Sequence, residues 1–417
     1  MKDKITLYLF VGLMFGSIHA NDFLVPDSLK RKVVFIIVDG ISADQLKEAH
    51  TPNLDAISKV GSYTEAFVGG SKGTYTETPT ISAVGYNSLL TGTWAYKHNV
   101  WGNGIKAPNY SYPTIFRLFK DNRPNGTIAV FSSWLDNRTK LVGEGLEQTG
   151  HIKVDYFFDG LEHDTINYPH DRERNFMKLI DFTVADKAAE AIENYAPDLS
   201  WVYLEFTDDM GHRFGDSERF NAAVHFEDDL VGRIYKAIES REENFDEEWL
   251  LVVTTDHGRS PEDGRHHGGQ SLRERSTWII TNLKETNAYF KEETPAIVDI
   301  LPTMTDFMGL QIPVEIQREW DGVSLIKHVD AFDMTAQIEG ENLRVSWKAK
   351  TEGKANLLIS KTNEFPTGGT DRYEHLESVK IENGGVVIPV RKLPKGFFKL
   401  LLKTPNTTLN TWVVENK

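Results

Sequence analysis

The sequence predicts an α/β protein: a mostly parallel sheet with helices on both faces, followed by a small C-terminal antiparallel β-sandwich. Three observations predict it. Near-continuous apolar runs rich in β-branched residues recur along the chain, helical patterns lie between them, and after about Ser324 both give way to short strand-like runs separated by turn residues.

The first run, "KVVFIIVDG" (32–40), ends in Asp39 and Gly40. "TIAVFSSW" (127–134), "SWVYLEFTDD" (200–209), "EWLLVVTTDHG" (248–258) and "STWIITN" (276–282) follow. Apolar runs of this kind suit strands buried on both faces, the habit of parallel sheets. Between them, "DFTVADKAAEAIENY" (181–195) is an alanine-rich helix former. "FNAAVHFEDDLVGRIYKAI" (220–238) places Phe226, Leu230, Ile234 and Ile238 four apart, which makes one apolar helix face. "NLRVSWKAK", "ANLLISKT", "GGVVIPVRK", "GFFKLLLKT" and "TWVVENK" then read as the strands of the sandwich. The expected division is a main domain over 21–329 and a sandwich over 330–417.

Composition narrows the function. A formal net charge of -15 argues against stable binding to a nucleic-acid backbone. The absence of cysteine excludes thiolate catalysis, disulfides and cysteine-based zinc sites. "MKDKITLYLFVGLMFGSIHA" carries lysines at 2 and 4, a short apolar run, and small and polar residues up to Ala20. It reads as a signal peptide over 1–20, so the chain is expected to be exported, periplasmic or secreted, with no membrane span after removal of this segment.

In a parallel sheet, functional groups gather beyond the carboxyl ends of the strands. Asp39 ends the first run, Asp208 follows the third, and Asp256 and His257 follow the fourth. "DDMGH" adds His212 four residues after Asp208, and "HHGG" adds His266 and His267. Taken singly, each acid also suits a helix cap or a turn. Their coincidence at three strand ends points to a metal site, and carboxylate with imidazole is the donor set that suits zinc where thiols are lacking.

With these motifs the chain resembles the alkaline phosphatase superfamily, and within it the nucleotide pyrophosphatase/phosphodiesterase branch. The likeness runs from about Lys32 to Leu325 through "VDG" (38–40), "TPNLD" (51–55), "NSLLTG" (87–92), "HNVWGN" (98–103), "DDMGH" (208–212), "TDHG" (255–258), "HHGG" (266–269), "VDILPTMTDFMG" (298–309) and "WDGVSL" (320–325). The resemblance implies a metal-dependent phosphoric ester hydrolase with two Zn2+ per chain. One ion would take Asp208, His212 and His267, with His266 as the alternative to His267. The other would take Asp39, Asp256, His257 and the nucleophile oxygen. The family's nucleophile stands nine residues before the threonine of "LTG", which is Ser82 here, where the branch usually has threonine. Thr78 and Thr80 read as turn and strand-surface residues. Asn103, twenty-one residues after Ser82, resembles the branch's phosphate-oxygen-binding asparagine.

The implied function is hydrolysis of phosphodiester or nucleotide pyrophosphate bonds through a covalent phosphoserine, on a small phosphoester or nucleotide. An alkaline phosphomonoesterase is the alternative. It would require a cation for the extra charge, for which Arg138 and Lys140 in "SSWLDNRTK" are the candidates. A sulfatase fits poorly, because "SAVGY" lacks the proline and arginine of the sulfatase motif. A degenerate glycan-binding non-enzyme would have no reason to keep the acids and histidines.

Overall fold

The computed structural model describes residues 30–414, so the signal-peptide reading over 1–20 lies outside the described residues. The main sheet comprises β1 (Lys30–Val38), β2 (Ser62–Phe67), β3 (Ile128–Ser132), β4 (Tyr156–Phe158), β5 (Leu199–Leu204), β6 (Glu247–Thr254) and β7 (Ser276–Thr281), in the order β2-β7-β6-β1-β5-β3-β4. From β6 across to β4 the strands are parallel. At the other edge β7 runs antiparallel to β6, and β2 antiparallel to β7. Neither β2 nor β4 was expected from the sequence. β4 is only three residues long, and β2 is a mostly half-exposed edge strand with one buried residue.

β1 lies at the centre, and its side chains alternate between two cores. Val33, Phe35 and Ile37 pack on the face of helices Ser82–Thr91, Ile115–Asn122 and Ile300–Met308. Val34, Ile36 and Val38 pack on the face of helices Asn175–Tyr195 and Glu218–Asn244. All six are buried, each worth roughly 1.5–3 kcal/mol. Leu230, Ile234 and Ile238 are buried on the second face as the four-residue spacing predicts, with Phe226 partly buried beside them.

The parallel register sets the position of the site. Val38 pairs with Leu204, and Ile37 with Thr254. Asp39, Glu205 and Asp256 therefore emerge at one edge of the sheet. Helix Ser82–Thr91, buried along its whole length, brings its N-terminus to that edge. His98 ties the loop leading to Asn103 onto this helix. Its Nδ1 accepts from the Val100 N–H at 3.1 Å, so its Nε2–H faces Ser88 Oγ at 3.1 Å.

From Ala331 onward the strands among the described residues pair antiparallel. β8 (Ala331–Glu339), β9 (Asn342–Ala349) and β12 (Gly385–Pro389) make a three-stranded sheet in the order β12-β9-β8. β10 (Lys354–Ser360), β11 (Glu374–Lys380), β13 (Phe397–Lys403) and β14 (Thr408–Val414) make a four-stranded one in the order β11-β10-β13-β14. Buried polar contacts join them to the main sheet's body. Lys399 on β13 pairs with Glu319 at 2.8 Å and Asp371 at 2.7 Å. Lys97 bonds Asp321 at 2.6 Å and Asn410 Oδ1 at 2.8 Å. The Tyr75 hydroxyl accepts from the Trp412 N–H at 2.7 Å.

Two stability predictions follow from these contacts. Lys399→Met leaves Glu319 and Asp371 buried without their cation and is expected to cost about 3–5 kcal/mol in denaturant unfolding. An unchanged unfolding midpoint would contradict this. For His98, burial pushes the ring pKa down from 6.5 to about 3. The unfolded chain takes up this proton below pH 6.5, whereas the folded chain does so only near pH 3. His98 is therefore expected to cost stability as pH falls from 6.5 toward 3, by up to about 1.4 kcal/mol per unit. Its NMR ring signals should not titrate between pH 7 and pH 4.

Candidate functional site

Two clusters of donor atoms meet at the sheet edge. In the first, His257 Nε2 lies 3.4 Å from Asp39 Oδ1, 3.2 Å from Asp256 Oδ2 and 3.4 Å from Ser82 Oγ. All four residues are buried. His257 Nδ1 faces the Gly258 carbonyl at 2.9 Å and so carries the ring proton, which leaves the Nε2 lone pair facing the two carboxylates. In the second cluster, His212 Nε2 lies 3.4 Å from Asp208 Oδ2 and 3.0 Å from His267 Nε2. His267 Nδ1 is fixed by the Thr80 carbonyl at 2.9 Å, so its Nε2 also presents a lone pair. The His257 and His267 rings stack at 3.8 Å and join the clusters. Asp208 and His212 share a face of helix Phe206–Phe214 because they stand four apart.

Each acid has its own surroundings. Asp39 Oδ2 accepts from the hydroxyls of Tyr86 and of Tyr203, the latter at 2.7 Å. Asp256 Oδ1 accepts from the Gly40 N–H at 3.1 Å. Burial, reinforced by repulsion from Asp208, pushes the Asp39 carboxyl up to about 7. Burial and the charges of Asp39 and Asp208 push Asp256 well above the ordinary carboxylate range. Asp208 goes the other way: although burial opposes its charge, the Arg259 guanidinium holds it well below that range.

Arg259, which follows the "DHG" motif, is fully buried. Its Nε donates to the Gly40 carbonyl at 2.8 Å, and Nη2 donates to Asp208 Oδ1 at 2.6 Å and to the Asp208 carbonyl at 3.1 Å. It threads between two glycines. A Cβ on Gly40 or on Gly211 would lie 2.4 Å from the guanidinium, which gives a physical reason for the glycines of "VDG" and "DDMGH".

Ser82 opens its helix, so its amide has no intrahelical acceptor and the positive end of the helix dipole lies beside its hydroxyl. Asn103 Oδ1 accepts from the neighbouring Ala83 N–H at 3.0 Å, which leaves the Asn103 amino group toward the cleft that both residues line. This cleft is about 490 Å3 and also presents Trp134, Phe176, Arg174 and Glu205.

The residues expected at the site thus come together: Asp39, Ser82, Asn103, Asp208, His212, Asp256, His257 and His267. Of the two histidines in "HHGG", His267 faces the cluster and His266 is exposed. Thr80 Oγ1 is committed to the Gly269 carbonyl at 2.9 Å. Arg138 and Lys140 are absent from the cleft lining. Arg138 is clamped by Asp159 at 2.6 and 2.9 Å and by Glu144, and Lys140 pairs with Asp136 at 2.7 Å. Tyr86, Tyr203, Arg259, Arg174 and Glu205 were not anticipated. For Arg259 a signal was available: an arginine directly after an acid-rich strand end is a ready counter-ion. A third group, His225 with Asp228 and Asp229, lies elsewhere, and Asp228 is spent on the Asn53 and Leu54 amides.

The chain is similar to several known proteins. An uncharacterised pyrophosphatase/phosphodiesterase of Schizosaccharomyces pombe is 21% identical over 272 residues, 62% of this chain and 50% of the relative. A 2,3-bisphosphoglycerate-independent phosphoglycerate mutase of Sulfurimonas denitrificans is 24% identical over 217 residues, 50% of this chain and 42% of the relative. The chain therefore spans half or less of the length of these curated relatives. The crystal structure of an alkaline phosphatase superfamily protein from Vibrio parahaemolyticus shares the fold, with a TM-score of 0.50 and 14% identity over 87% of this chain and 82% of that one. Residues 33–343 match the type I phosphodiesterase / nucleotide pyrophosphatase family, and the chain belongs to that family.

Proposed function

We propose that the chain is an exported phosphoesterase that holds two zinc ions and cleaves phosphodiester or nucleotide pyrophosphate bonds through a phosphoserine at Ser82. One observation carries the reading. His257 Nε2, Asp39 Oδ1, Asp256 Oδ2 and Ser82 Oγ converge, yet Asp39 Oδ1 and Asp256 Oδ2 have no hydrogen-bond partner among the described residues. Buried acceptors facing one another without a donor are strongly unfavourable, and a cation at their centre resolves the conflict. The donors, oxygen and imidazole nitrogen, are those of zinc.

Asp208, His212 and His267 would hold one ion, and Asp39, Asp256, His257 and Ser82 Oγ the other. Bound zinc supplies positive charge that acidifies the serine hydroxyl and stabilises the phosphoryl oxygens. The protein's own groups set the geometry. The Ser82 oxygen forms a bond to phosphorus while the bond from phosphorus to the leaving oxygen breaks, and the leaving group departs with that electron pair. Water then cleaves the serine–phosphorus ester, releasing a phosphomonoester and restoring Ser82. The Ser82 amide and the Asn103 amino group are donors for a non-bridging oxygen. Tyr86 and Tyr203 hold Asp39 in orientation.

Charge favours a diester over a monoester. Three carboxylates and Arg259 leave two net negative charges beside neutral imidazoles. Two zinc ions exceed that by two, which an ionised Ser82 and a singly charged diester then balance. A monoester adds a further charge; Arg138 and Lys140 are engaged elsewhere, and Arg174, the arginine of the cleft lining, is paired with Asp209. We further propose that 21–329 is the catalytic domain and 330–417 a β-sandwich domain. Among the described residues no helix is long and apolar enough to cross a membrane.

Purified protein is expected to carry two equivalents of zinc and to lose turnover on chelation. Ser82→Ala should retain metal, lose at least roughly a thousandfold in kcat (about 4 kcal/mol), and give no acid-trapped phosphoenzyme by mass spectrometry. A Ser82→Ala enzyme that still turns over would place the nucleophile elsewhere. A second expectation concerns stability without metal. Asp256→Asn removes one of the mutually repelling carboxylates, so the chelated variant should be more stable than chelated wild type, by about 1–3 kcal/mol. Its melting temperature should respond less to added zinc than that of wild type.

A further inference from the structure

Two acids in the interior play no part in the chemistry above. Asp181 on helix Asn175–Tyr195 and Glu227 on helix Glu218–Asn244 are both buried. Their carboxyl groups hydrogen-bond to one another. Two buried carboxyl groups in contact do not both ionise and hold one proton between them. Asp181 already accepts from three donors, whereas neither Glu227 oxygen has another partner among the described residues. The proton therefore resides on Glu227, whose carboxyl burial and the Asp181 charge push well above the usual range. Lys178, the nearby cation, is exposed over the Phe226 ring and does not offset this.

The three donors show what Asp181 holds. Ser133 Oγ, just past β3, donates to Oδ1. The Glu205 N–H at 2.9 Å and the Phe206 N–H at 2.6 Å donate to Oδ2. These amides open helix Phe206–Phe214, whose own N-cap residue, Glu205, supplies no side-chain cap. The first amides of a helix need an acceptor, and a carboxylate there also meets the positive end of the helix dipole. A cap that comes from another helix fixes the start of this one in space as well. The helix is nine residues long and carries Asp208 in its first turn and His212 in its last. Its other tethers belong to the sheet edge itself: Thr207 Oγ1 donates to the Asp39 carbonyl at 2.6 Å, and Arg259 holds Asp208.

We infer that Asp181 and Glu227 are positioning residues for the metal centre: Asp181 fixes the helix that carries Asp208 and His212, and Glu227 fixes Asp181. Both act through the helix rather than by contact with an ion. Two apolar side chains would fill the same space at lower cost, but they could not hold the two amides. The inference rests on the metal-centred reading above and concerns the ion held by Asp208, His212 and His267.

The test titrates the metal-free full chain with zinc by calorimetry, at a temperature where circular dichroism shows each variant folded. His212→Ala marks the binding step that belongs to the Asp208 side. Glu227→Gln keeps a donor to Asp181, Glu227→Met has similar length and no donor, and Asp181→Ala removes the acceptor. Lys399→Met is the control for lost stability away from the site. Wild type should show two steps, and His212→Ala should lose one of them. Asp181→Ala and Glu227→Met should weaken that same step by roughly ten- to a hundredfold, the usual effect of removing support behind a metal ligand. The other step should change by less than about threefold, and Glu227→Gln should match wild type within the same margin. Lys399→Met should melt lower with both steps unchanged. Should Asp181→Ala not fold, the two Glu227 variants decide. Unchanged zinc binding in Asp181→Ala and Glu227→Met, equal weakening of both steps, weakening that Lys399→Met reproduces, or a Gln variant as weak as Met would overturn the assignment and leave the metal-centred reading intact. Wild type that binds no zinc, or His212→Ala that titrates like wild type, would overturn the metal-centred reading, and this inference with it.

Discussion

Three carboxylates and a guanidinium buried at one sheet edge impose the constraint from which the site's architecture follows. Asp39, Asp256 and Arg259 are removed from water, and Asp208 is largely so. Charges buried in this way are tolerable only if each is paired or bridged. Arg259 meets the requirement for Asp208 and at the same time ties the end of β1, through Gly40, to helix Phe206–Phe214. Asp39 and Asp256 are left partly unsatisfied. The protein therefore forms an acceptor-rich cluster whose electrostatic conflict a bound cation would relieve.

Much of this was legible in the sequence, for reasons that concern particular residues. "KVVFIIVDG" can be little other than a central strand, because a run of Val, Phe and Ile has no polar face to leave in water. Asp39 at its end is then at the functional edge by geometry alone. The pairing of Asp208 with His212 in "DDMGH" is readable because residues four apart share a helix face. His267 and His266 were not separable from sequence, since the choice depends on the Thr80 carbonyl, which lies 187 residues away and accepts from the His267 ring.

What stayed hidden depends on long-range contact. Tyr86 sits in a helix and Tyr203 in a strand, and nothing local shows that both hydroxyls converge on Asp39. Arg174 lies in a polar stretch that reads as loop, and only its left-handed backbone and its place in the cleft distinguish it. Arg138 was the more conspicuous basic residue in sequence, yet Asp159 and Glu144 neutralise it. β4 is too short to show a period, and β2 is marked only by the partner it finds.

The contact between Tyr75 and β14 bears on how the protein is made. Tyr75 lies in the segment that leads into Ser82, and its hydroxyl is anchored by Thr411, 336 residues further along. At a synthesis rate of 5–20 residues per second, roughly 15–70 s separate the emergence of the two partners. Through that interval the strands up to β7 can pair and Thr80 can bond Gly269 and His267, while Tyr75 still lacks its partners on β14. The turn at Tyr75 is therefore the part of the stretch before Ser82 that gains its contacts last, once the final strand is complete.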